Sequence, residues 1–197
     1  MKARPCTDRR CGVSCGRRVA VDGVARRANR RSASIPVRSL CGKPGDKTMT
    51  WDLPSPFLID IDVTADDIDG LGHANNAVYV SWLERCAWRH SQFLGLDLVE
   101  YRRLDRAMAV VRHEIDYLAS AYEGQRLQMA TWIVESDQRL KMDRRFQLLR
   151  PEDGTTLLRA KTTFVCIELS SGRPKRMPVE FVEGYGQALL QPYPLEL

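Results

Sequence analysis

The apolar residues of this chain follow a helical period first and a strand period afterwards, and this order excludes most folds. Residues 77–95 (AVYVSWLERCAWRHSQFLG) place apolar side chains close to a 3.6-residue repeat, which predicts one helix of about five turns. After Leu104 the period changes to two, in segments 107–118, 126–136, 140–149 and 157–169. One long helix followed by amphipathic strands predicts an α+β domain in which an antiparallel meander wraps the helix.

The flanks of these segments support that prediction. Residues 57–64 (FLIDIDVT) alternate apolar and polar side chains and predict a strand before the helix. Asn75 or Asn76 can cap the helix start, and Gly95 can close its end. Glycine-bearing turns of hairpin length lie at 123–124, 151–154 and 170–172. The last strand ends in FVCIEL, which is apolar on both faces and indicates a subunit interface.

Composition divides the chain after residue 48. Residues 1–48 hold 13 Lys and Arg, only 3 Asp and no Phe, Trp or Tyr, whereas residues 49–197 hold 17 Lys and Arg against 22 Asp and Glu. Low hydrophobicity with high like charge does not offset the entropy lost on ordering. We therefore predict that residues 1–48 are a disordered basic arm and that residues 49–197 form one domain.

Three interpretations of the arm stay open. Met49 is a candidate start, which would make residues 1–48 translated upstream sequence. Alternatively the arm is a targeting segment, because it is rich in Arg and Ser and poor in acid. A nucleic-acid tail is the weakest interpretation, because the arm has no aromatic side chains to stack on bases. We expect no nucleic-acid partner, and no membrane span, because no apolar run approaches about 18 residues.

The six cysteines do not indicate a disulfide framework or a metal site. Cys6, Cys11, Cys15 and Cys41 lie in an arm without histidine and lack paired metal-ligand spacing. Cys86 and Cys166 lie in apolar runs, where a lone thiol usually behaves as a small core residue. This usage favours a reducing compartment, and we expect a cytoplasmic protein.

The loop DDIDGLGHANN (66–76) concentrates catalytic side-chain types before the predicted helix. A helix start presents unpaired N–H groups that can polarise a carbonyl and hold the oxyanion formed on attack. Asp69 is a candidate nucleophile or general base. Gly70 and Gly72 permit a tight turn and a close approach of substrate. His73 and Glu84, the latter about two turns into the helix, are further candidates.

Structural roles compete with catalytic ones. Asp66 and Asp67 are typical turn formers that also suit a helix dipole, and Asn75 and Asn76 are adequate caps. The other polar residues are interpreted as a core histidine at His113, a partner of the helix C-terminus at His90, and a solvated strand face at Arg112, Arg139, Lys141, Arg144 and Arg145. The loop alone leaves the function open.

The segment DIDGLGHANNAVYVSWLE (67–84) resembles the active-site segment of hotdog-fold thioesterases of the 4-hydroxybenzoyl-CoA and acyl-CoA thioesterase type. The matching positions are Asp69, Gly72, His73, Asn75, Tyr79, Trp82 and Glu84. GRPKRMPVEF (172–181) resembles the closing Arg-x-x-Pro segment of that family. The resemblance covers about residues 55–186 and implies a hotdog fold, in which about five antiparallel strands wrap a long central helix.

The resemblance also implies roles for these residues. Asp69 takes the place of the family's catalytic carboxylate. The backbone N–H at or near Asn76 takes the place of the group that polarises the carbonyl. Gly72, Asn75 and Tyr79 complete the expected substrate-binding set.

HANNAVY (73–79) is similar to the plant acyl-carrier-protein thioesterases. In those enzymes an Asp and a His four residues later both serve catalysis, and Asp69 and His73 match that pair. Leu71 stands where they carry an Asn, so their Asn-His arrangement is incomplete in this chain. Some subgroups instead use an acid within the helix, to which Glu84 corresponds loosely.

The activity that the resemblance implies is hydrolysis of an acyl thioester of CoA or acyl carrier protein (ACP) to free acid and thiol, with no metal and no redox cofactor. It also implies a homodimer or homotetramer, because the family's site lies between subunits. Basic residues expected near the CoA nucleotide are Arg139, Lys141, Arg173, Lys175 and Arg176. The alternatives are a non-catalytic acyl-CoA-binding hotdog protein and a hotdog hydratase or dehydratase.

Overall fold

The computed structural model describes residues 50–190. The predicted arm, residues 1–48, lies outside this range, so its disorder and the domain boundary after residue 48 stay predictions. The elements of the described part are β1 (Phe57–Asp62), α1 (Asn76–Phe93), α2 (Leu98–Leu104), β2 (Arg106–Tyr117), β3 (Arg126–Ser136), β4 (Lys141–Arg150), β5 (Thr155–Glu168) and α3 (Val179–Gly186).

The long helix α1 is present where the 3.6-residue period predicted it. Asn75 is its N-cap, and the side chain of Asn75 accepts a hydrogen bond from Ala77 N. The helix buries Tyr79, Trp82, Leu83, Cys86, Ala87, His90 and Ser91. Gly95 follows its end with a φ of +80°, a left-handed conformation that glycine adopts without strain.

The five strands form one antiparallel sheet in the order β1-β3-β4-β5-β2. The predicted meander is correct for β3, β4 and β5 and wrong for β2, which pairs with β5 at the far edge. The turn at 123–124 is therefore not a hairpin. The connection from β2 to β3 instead passes beside the start of α1, where Ala121 N donates to Tyr79 Oη and Gly124 N donates to Val63 O.

Strand β2 contains a β-bulge that the alternation could not show. The register with β5 shifts between Val110 and Arg112, so Val111 has no direct partner. An extra residue reverses the side-chain alternation beyond it. Val110, not Val111, therefore shares a face with His113, and the single face predicted through 109, 111 and 113 is wrong.

Two short helices, α2 and α3, were not predicted. Asp97 caps α2 by accepting from Glu100 N through its side chain. Helix α3 packs through the buried Phe181 and Tyr185, one turn apart. A Cβ at Gly184 would lie 2.9 Å from Leu96 Cδ1, so a larger residue at this position would require the Leu96 side chain to shift.

The core lies between α1 and the concave face of the sheet. Cys86 and Cys166 are buried free thiols within it, as predicted. Burial raises the pKa of Cys86 to about 12 and that of Cys166 to about 11, so neither thiol is a ready nucleophile at neutral pH. Within residues 50–190 no helix is long and apolar enough to cross a membrane.

Candidate functional site

The loop between β1 and α1 is closed by its own backbone hydrogen bonds. Asp69 N donates to His73 O, and Gly72 N donates to Asp69 O, each at 3.0 Å. Gly72 has a φ of +82°, which an L side chain rarely adopts. The five residues 69–73 therefore form a tight turn that returns the chain to the start of α1.

Asp67 has the structural role that the sequence indicated. Its Oδ2 atom accepts from Thr64 N at 2.8 Å and from Thr64 Oγ1 at 3.0 Å, at the single 3-10 turn Ala65–Asp67. Its carbonyl oxygen accepts from Asn75 N at 2.9 Å. Asp67 thus ties both ends of the loop together through its carboxylate and its carbonyl oxygen.

Asp69 and His73 approach each other across the turn. Asp69 Oδ1 lies 3.9 Å from His73 Nδ1, beyond direct hydrogen-bond distance, and accepts from Leu71 N at 2.8 Å. Both side chains are partly exposed. Leu71 itself is 81% exposed at the tip of the loop. The structure therefore brings the two predicted catalytic residues together while leaving the Asp69 carboxylate accessible.

Among the residues that the structure describes, the first turn of α1 leaves one backbone amide without an acceptor. Asn75 N donates to Asp67 O, and Ala77 N donates to Asn75 Oδ1. Between them, Asn76 N has no hydrogen-bond acceptor among residues 50–190. This free N–H at a helix start can hold a carbonyl oxygen and the oxyanion that forms from it.

A small cavity of about 180 Å³ adjoins this amide. It is lined by His73, Ala74, Asn76, Tyr79, Tyr117, Leu118, Ala119 and Ser120. The hydroxyl of Tyr79 accepts from Ala121 N at 2.9 Å, so Tyr79 presents its ring to the cavity while its hydroxyl holds the loop. Burial raises the pKa of Tyr79. His73, Asn76 and Tyr79, all predicted site residues, therefore share one cavity.

A larger cavity of about 370 Å³ lies between α1 and the sheet. Its helix wall includes Val80, Leu83, Glu84, Ala87 and Ser91, whose spacing of three or four residues places them on one face of α1. Asn76 precedes Val80 by one turn on the same face. The large cavity thus begins about 6 Å along the helix axis from the free amide.

Arg144 lies at the wall of this cavity and is buried, with 1% of its surface exposed. Its prediction as part of a solvated strand face is wrong. The alternation of β4 contained the signal, because Met142, Arg144 and Phe146 are two residues apart and share the inward face. The charge of Arg144 favours an exposed position, whereas the alternation of β4 favours a buried one.

Polar partners surround the guanidinium of Arg144. Nη1 donates to His90 Nδ1 at 2.8 Å, and Nη2 donates to Ser91 Oγ at 3.2 Å. The rings of Phe164 and Tyr185 lie 6.0 Å and 5.6 Å from the guanidinium carbon. Among residues 50–190 no carboxylate forms an ion pair with Arg144.

The two histidines beside the cavity differ in environment. Burial, followed by the Arg144 charge, lowers the pKa of His90 to about 3, so His90 is neutral and accepts from Arg144. Its role is therefore not charge compensation at the helix C-terminus. Burial also lowers the pKa of His113, which the nearby Glu84 carboxylate partly opposes. His113 is exposed at the sheet edge, and its Nδ1 lies 2.9 Å from Thr162 Oγ1.

The basic residues predicted for the CoA nucleotide form one exposed region. Arg139 and Lys141 flank the start of β4, and Arg173, Lys175 and Arg176 lie in the closing segment. Met177 N donates to Arg139 O, which joins the two groups. Lys175 forms an ion pair with Glu168. In the described part of the chain, no group of three or more His, Cys, Asp or Glu is arranged to hold a metal.

Comparison with solved structures identifies the fold. The chain is similar to a 1,4-dihydroxy-2-naphthoyl-CoA thioesterase from Synechocystis, with 22% identity, a TM-score of 0.61, and coverage of 67% of this chain and 96% of that one. It is also similar to a hypothetical protein from Staphylococcus aureus in complex with CoA, with 21% identity, a TM-score of 0.64, and coverage of 72% of this chain and 90% of that one. A third similar structure is that of a predicted thioesterase from Bacillus stearothermophilus, with 23% identity, a TM-score of 0.59, and coverage of 70% of this chain and 99% of that one. The expected hotdog fold is confirmed.

Comparison at the sequence level identifies the family. No curated protein matches the chain. The family model described as Thioesterase-like superfamily matches residues 63–185, which include the loop before α1, the whole of α1 and the four strands that follow it. Since this match spans more than half of the sequence, the chain belongs to the Thioesterase-like superfamily.

Proposed function

We propose that this protein hydrolyses an acyl thioester of CoA or acyl carrier protein to a free acid and a thiol. One observation carries the proposal: the partly exposed carboxylate of Asp69 lies in the loop that leads to Asn76 N, an amide that has no acceptor among residues 50–190 and adjoins a small cavity. This combination provides a base or nucleophile and an oxyanion donor beside a space for an acyl group.

The proposed reaction begins with the thioester carbonyl oxygen on Asn76 N. In one route Asp69 takes a proton from water, whose oxygen attacks the carbonyl carbon. The C–S bond then breaks, and the thiolate takes the proton from Asp69. In the other route Asp69 Oδ attacks the carbonyl carbon directly and the thiolate leaves. Water then cleaves the resulting anhydride, which regenerates the Asp69 carboxylate, and the thiolate takes the proton that this water releases. Both routes consume one water and release one acid and one thiol.

His73 is proposed as an assisting residue. The 3.9 Å separation from Asp69 leaves it close enough to orient the carboxylate or a water molecule after a small movement, as catalytic contacts often tighten when substrate binds. Gly72 and Asn75 are proposed to shape the substrate site through the turn and the helix cap, and Tyr79 through its ring.

A second copy of the chain is proposed to complete the site. Strand β2 is an edge strand, and Val110, Val111 and Tyr117 on it are exposed. An exposed apolar edge is a surface on which another sheet can pair. The small cavity includes Tyr117 at the end of this strand, so pairing at β2 would bring the partner next to the Asp69 loop.

CoA is favoured as the thiol carrier by the exposed basic region and by the CoA bound to the Staphylococcus aureus relative. The test is a hydrolysis panel over acyl-CoAs of different chain length, aryl-CoAs and acyl-ACPs, with the released thiol measured. Turnover of at least one thioester is expected. Binding of acyl-CoA without turnover would favour the non-catalytic alternative, and addition of water to an enoyl thioester would favour a hydratase.

A further inference from the structure

We propose that Arg144 is a specificity-determining residue that receives a carboxylate at the far end of the acyl group. The inference rests on the proposed function, because it assigns the class of acyl group that the thioesterase site accepts. It concerns the large cavity between α1 and the sheet, whose lining includes Arg144 and, on α1, its contact Ser91.

Arg144 has no anionic partner in the described part of the chain. A buried guanidinium is costly unless a negative charge compensates it. Within residues 50–190 Arg144 donates hydrogen bonds to the neutral His90 and to the Ser91 hydroxyl, and the Tyr185 hydroxyl also interacts with its charge. Two aromatic faces, Phe164 and Tyr185, contribute weaker electrostatic stabilisation. A carboxylate in the cavity would supply the missing charge in a bidentate geometry.

Helix α1 connects the proposed thioester site with the contacts of Arg144. Asn76, where the thioester carbonyl is proposed to bind, and Ser91, which contacts Arg144, lie on one face of α1 and are 15 residues apart. That separation is about 22 Å along the axis. Between them the helix lines the cavity with the apolar Val80, Leu83 and Ala87 and with the exposed Glu84. An extended acyl chain would therefore have its reacting end at one end of the stripe and its far end near Arg144.

Three polar side chains lie side by side across the sheet and line the large cavity. Arg144 pairs with Thr162 on β5, and Thr162 pairs with His113 on β2. Paired residues point to the same side of a sheet, and all three line the cavity. This row of donors crosses an otherwise apolar wall. A cavity built only for a methyl-terminated chain needs no such row.

The experiment compares three thioesters of equal chain length that end in a methyl group, a hydroxyl group or a carboxylate, in a ladder of increasing length. For the unmodified protein we expect the carboxylate series to have a kcat/KM at least about tenfold above the methyl series. A length optimum is expected, because the thioester and the guanidinium are at fixed positions. Equal kcat/KM for the three series, or a hydroxyl or methyl optimum, would overturn the proposal.

Two substitutions assign the preference to one residue. Arg144→Met should abolish the preference for carboxylate, whereas Arg145→Met, the same change on the opposite face of β4, should retain it. If Arg144→Met does not fold, Arg144→Lys serves in its place. The lysine ammonium should keep a reduced preference for the carboxylate series, because it cannot pair with a carboxylate in bidentate geometry. A full preference in whichever of these two variants is measured would contradict the assignment.

A binding measurement separates this inference from the proposed function. Non-hydrolysable thioether analogues of CoA with carboxylate or methyl ends are titrated by calorimetry. Tighter binding of the carboxylate analogue without hydrolysis of any thioester would uphold the role of Arg144 and reject the proposed reaction. Hydrolysis of all three series with equal analogue affinities would uphold the reaction and reject the role of Arg144.

Discussion

Arg144 Nη1 donates a 2.8 Å hydrogen bond to His90 Nδ1, which joins the sheet to the last turns of α1 inside the core. The His90 ring stacks on Phe57 of β1, with ring centroids 4.7 Å apart. The hydrogen bond and the ring stacking together connect β4, α1 and β1 through His90. Since an imidazolium cannot accept this bond, the contact requires a neutral histidine.

Stability should therefore fall with acidification through His90. Its pKa is lowered from 6.5 to about 3 in the folded protein, so between these values the unfolded chain binds a proton that the folded chain does not. The stabilisation is fully present above pH 6.5 and is lost as the pH falls, by up to about 1.4 kcal/mol per pH unit. Chemical denaturation at a series of pH values measures this slope.

The control for that slope is His90→Gln, which keeps an acceptor for Arg144 but does not titrate. The comparison is made between about pH 5 and 6.5, above most carboxyl titrations. The free energy of unfolding of the variant should depend less on pH than that of the unmodified protein. Parallel pH profiles would show that His90 is not the group responsible.

Asp69→Asn should reduce thioester hydrolysis by about 10² to 10⁴ in rate, because the amide is neither a base nor a nucleophile. The melting temperature and the oligomeric mass should stay unchanged, since the side chain is partly exposed. The matched control is Asp66→Asn, an exposed acid in the same loop, which should retain activity. A rate within threefold of the parent, about 0.6 kcal/mol in the barrier, would reject Asp69.

His73→Ala should cost less activity than Asp69→Asn. The two side chains are 3.9 Å apart and form no direct hydrogen bond, and Leu71 occupies the position of the Asn in the plant acyl-ACP thioesterase pattern. Steady-state kinetics of the two variants on the best substrate give the comparison. Equal losses would instead indicate a joint Asp-His mechanism.

Assembly should depend on the β2 edge. Light scattering at micromolar concentration should give a mass of at least two subunits. Val111→Glu places a charge on that edge and should shift the mass toward one subunit and lower the activity per subunit. Val179→Glu is the control, because Val179 is similarly exposed, at 62% against 59%, but lies on α3. A fully active monomer would refute both the interface and the shared site.

A protein that starts at Met49 should keep the activity and melting temperature of the full chain. The expectation rests on composition, because residues 1–48 contain no aromatic side chain and few large aliphatic ones with which to pack. Thermal denaturation and the hydrolysis assay compare the two proteins. A loss of several degrees on truncation would show that the arm contributes to the fold.

Local patterns predicted much of the structure and of the candidate site. The 3.6-residue period predicted α1, and the period of two predicted the four later strands. The loop before α1 indicated Asp69, His73 and Asn76, because glycines, a helix cap and a carboxylate lie close together there. Capping, periodicity and turns depend on residues close in sequence, so a sequence contains them directly.

The partners of β2 and the burial of Arg144 were decided by the tertiary structure. Alternation of apolar and polar residues shows that a strand has two faces but does not show which strand lies beside it. The bulge at Val111 also reversed the alternation of β2, and no sequence signal indicated it. Arg144 is charged, and charge usually marks a surface, yet Arg144 is buried among neutral polar and aromatic groups from three other elements, namely His90, Ser91, Phe164 and Tyr185. Whether a charge can be buried depends on groups that only the folded chain brings together.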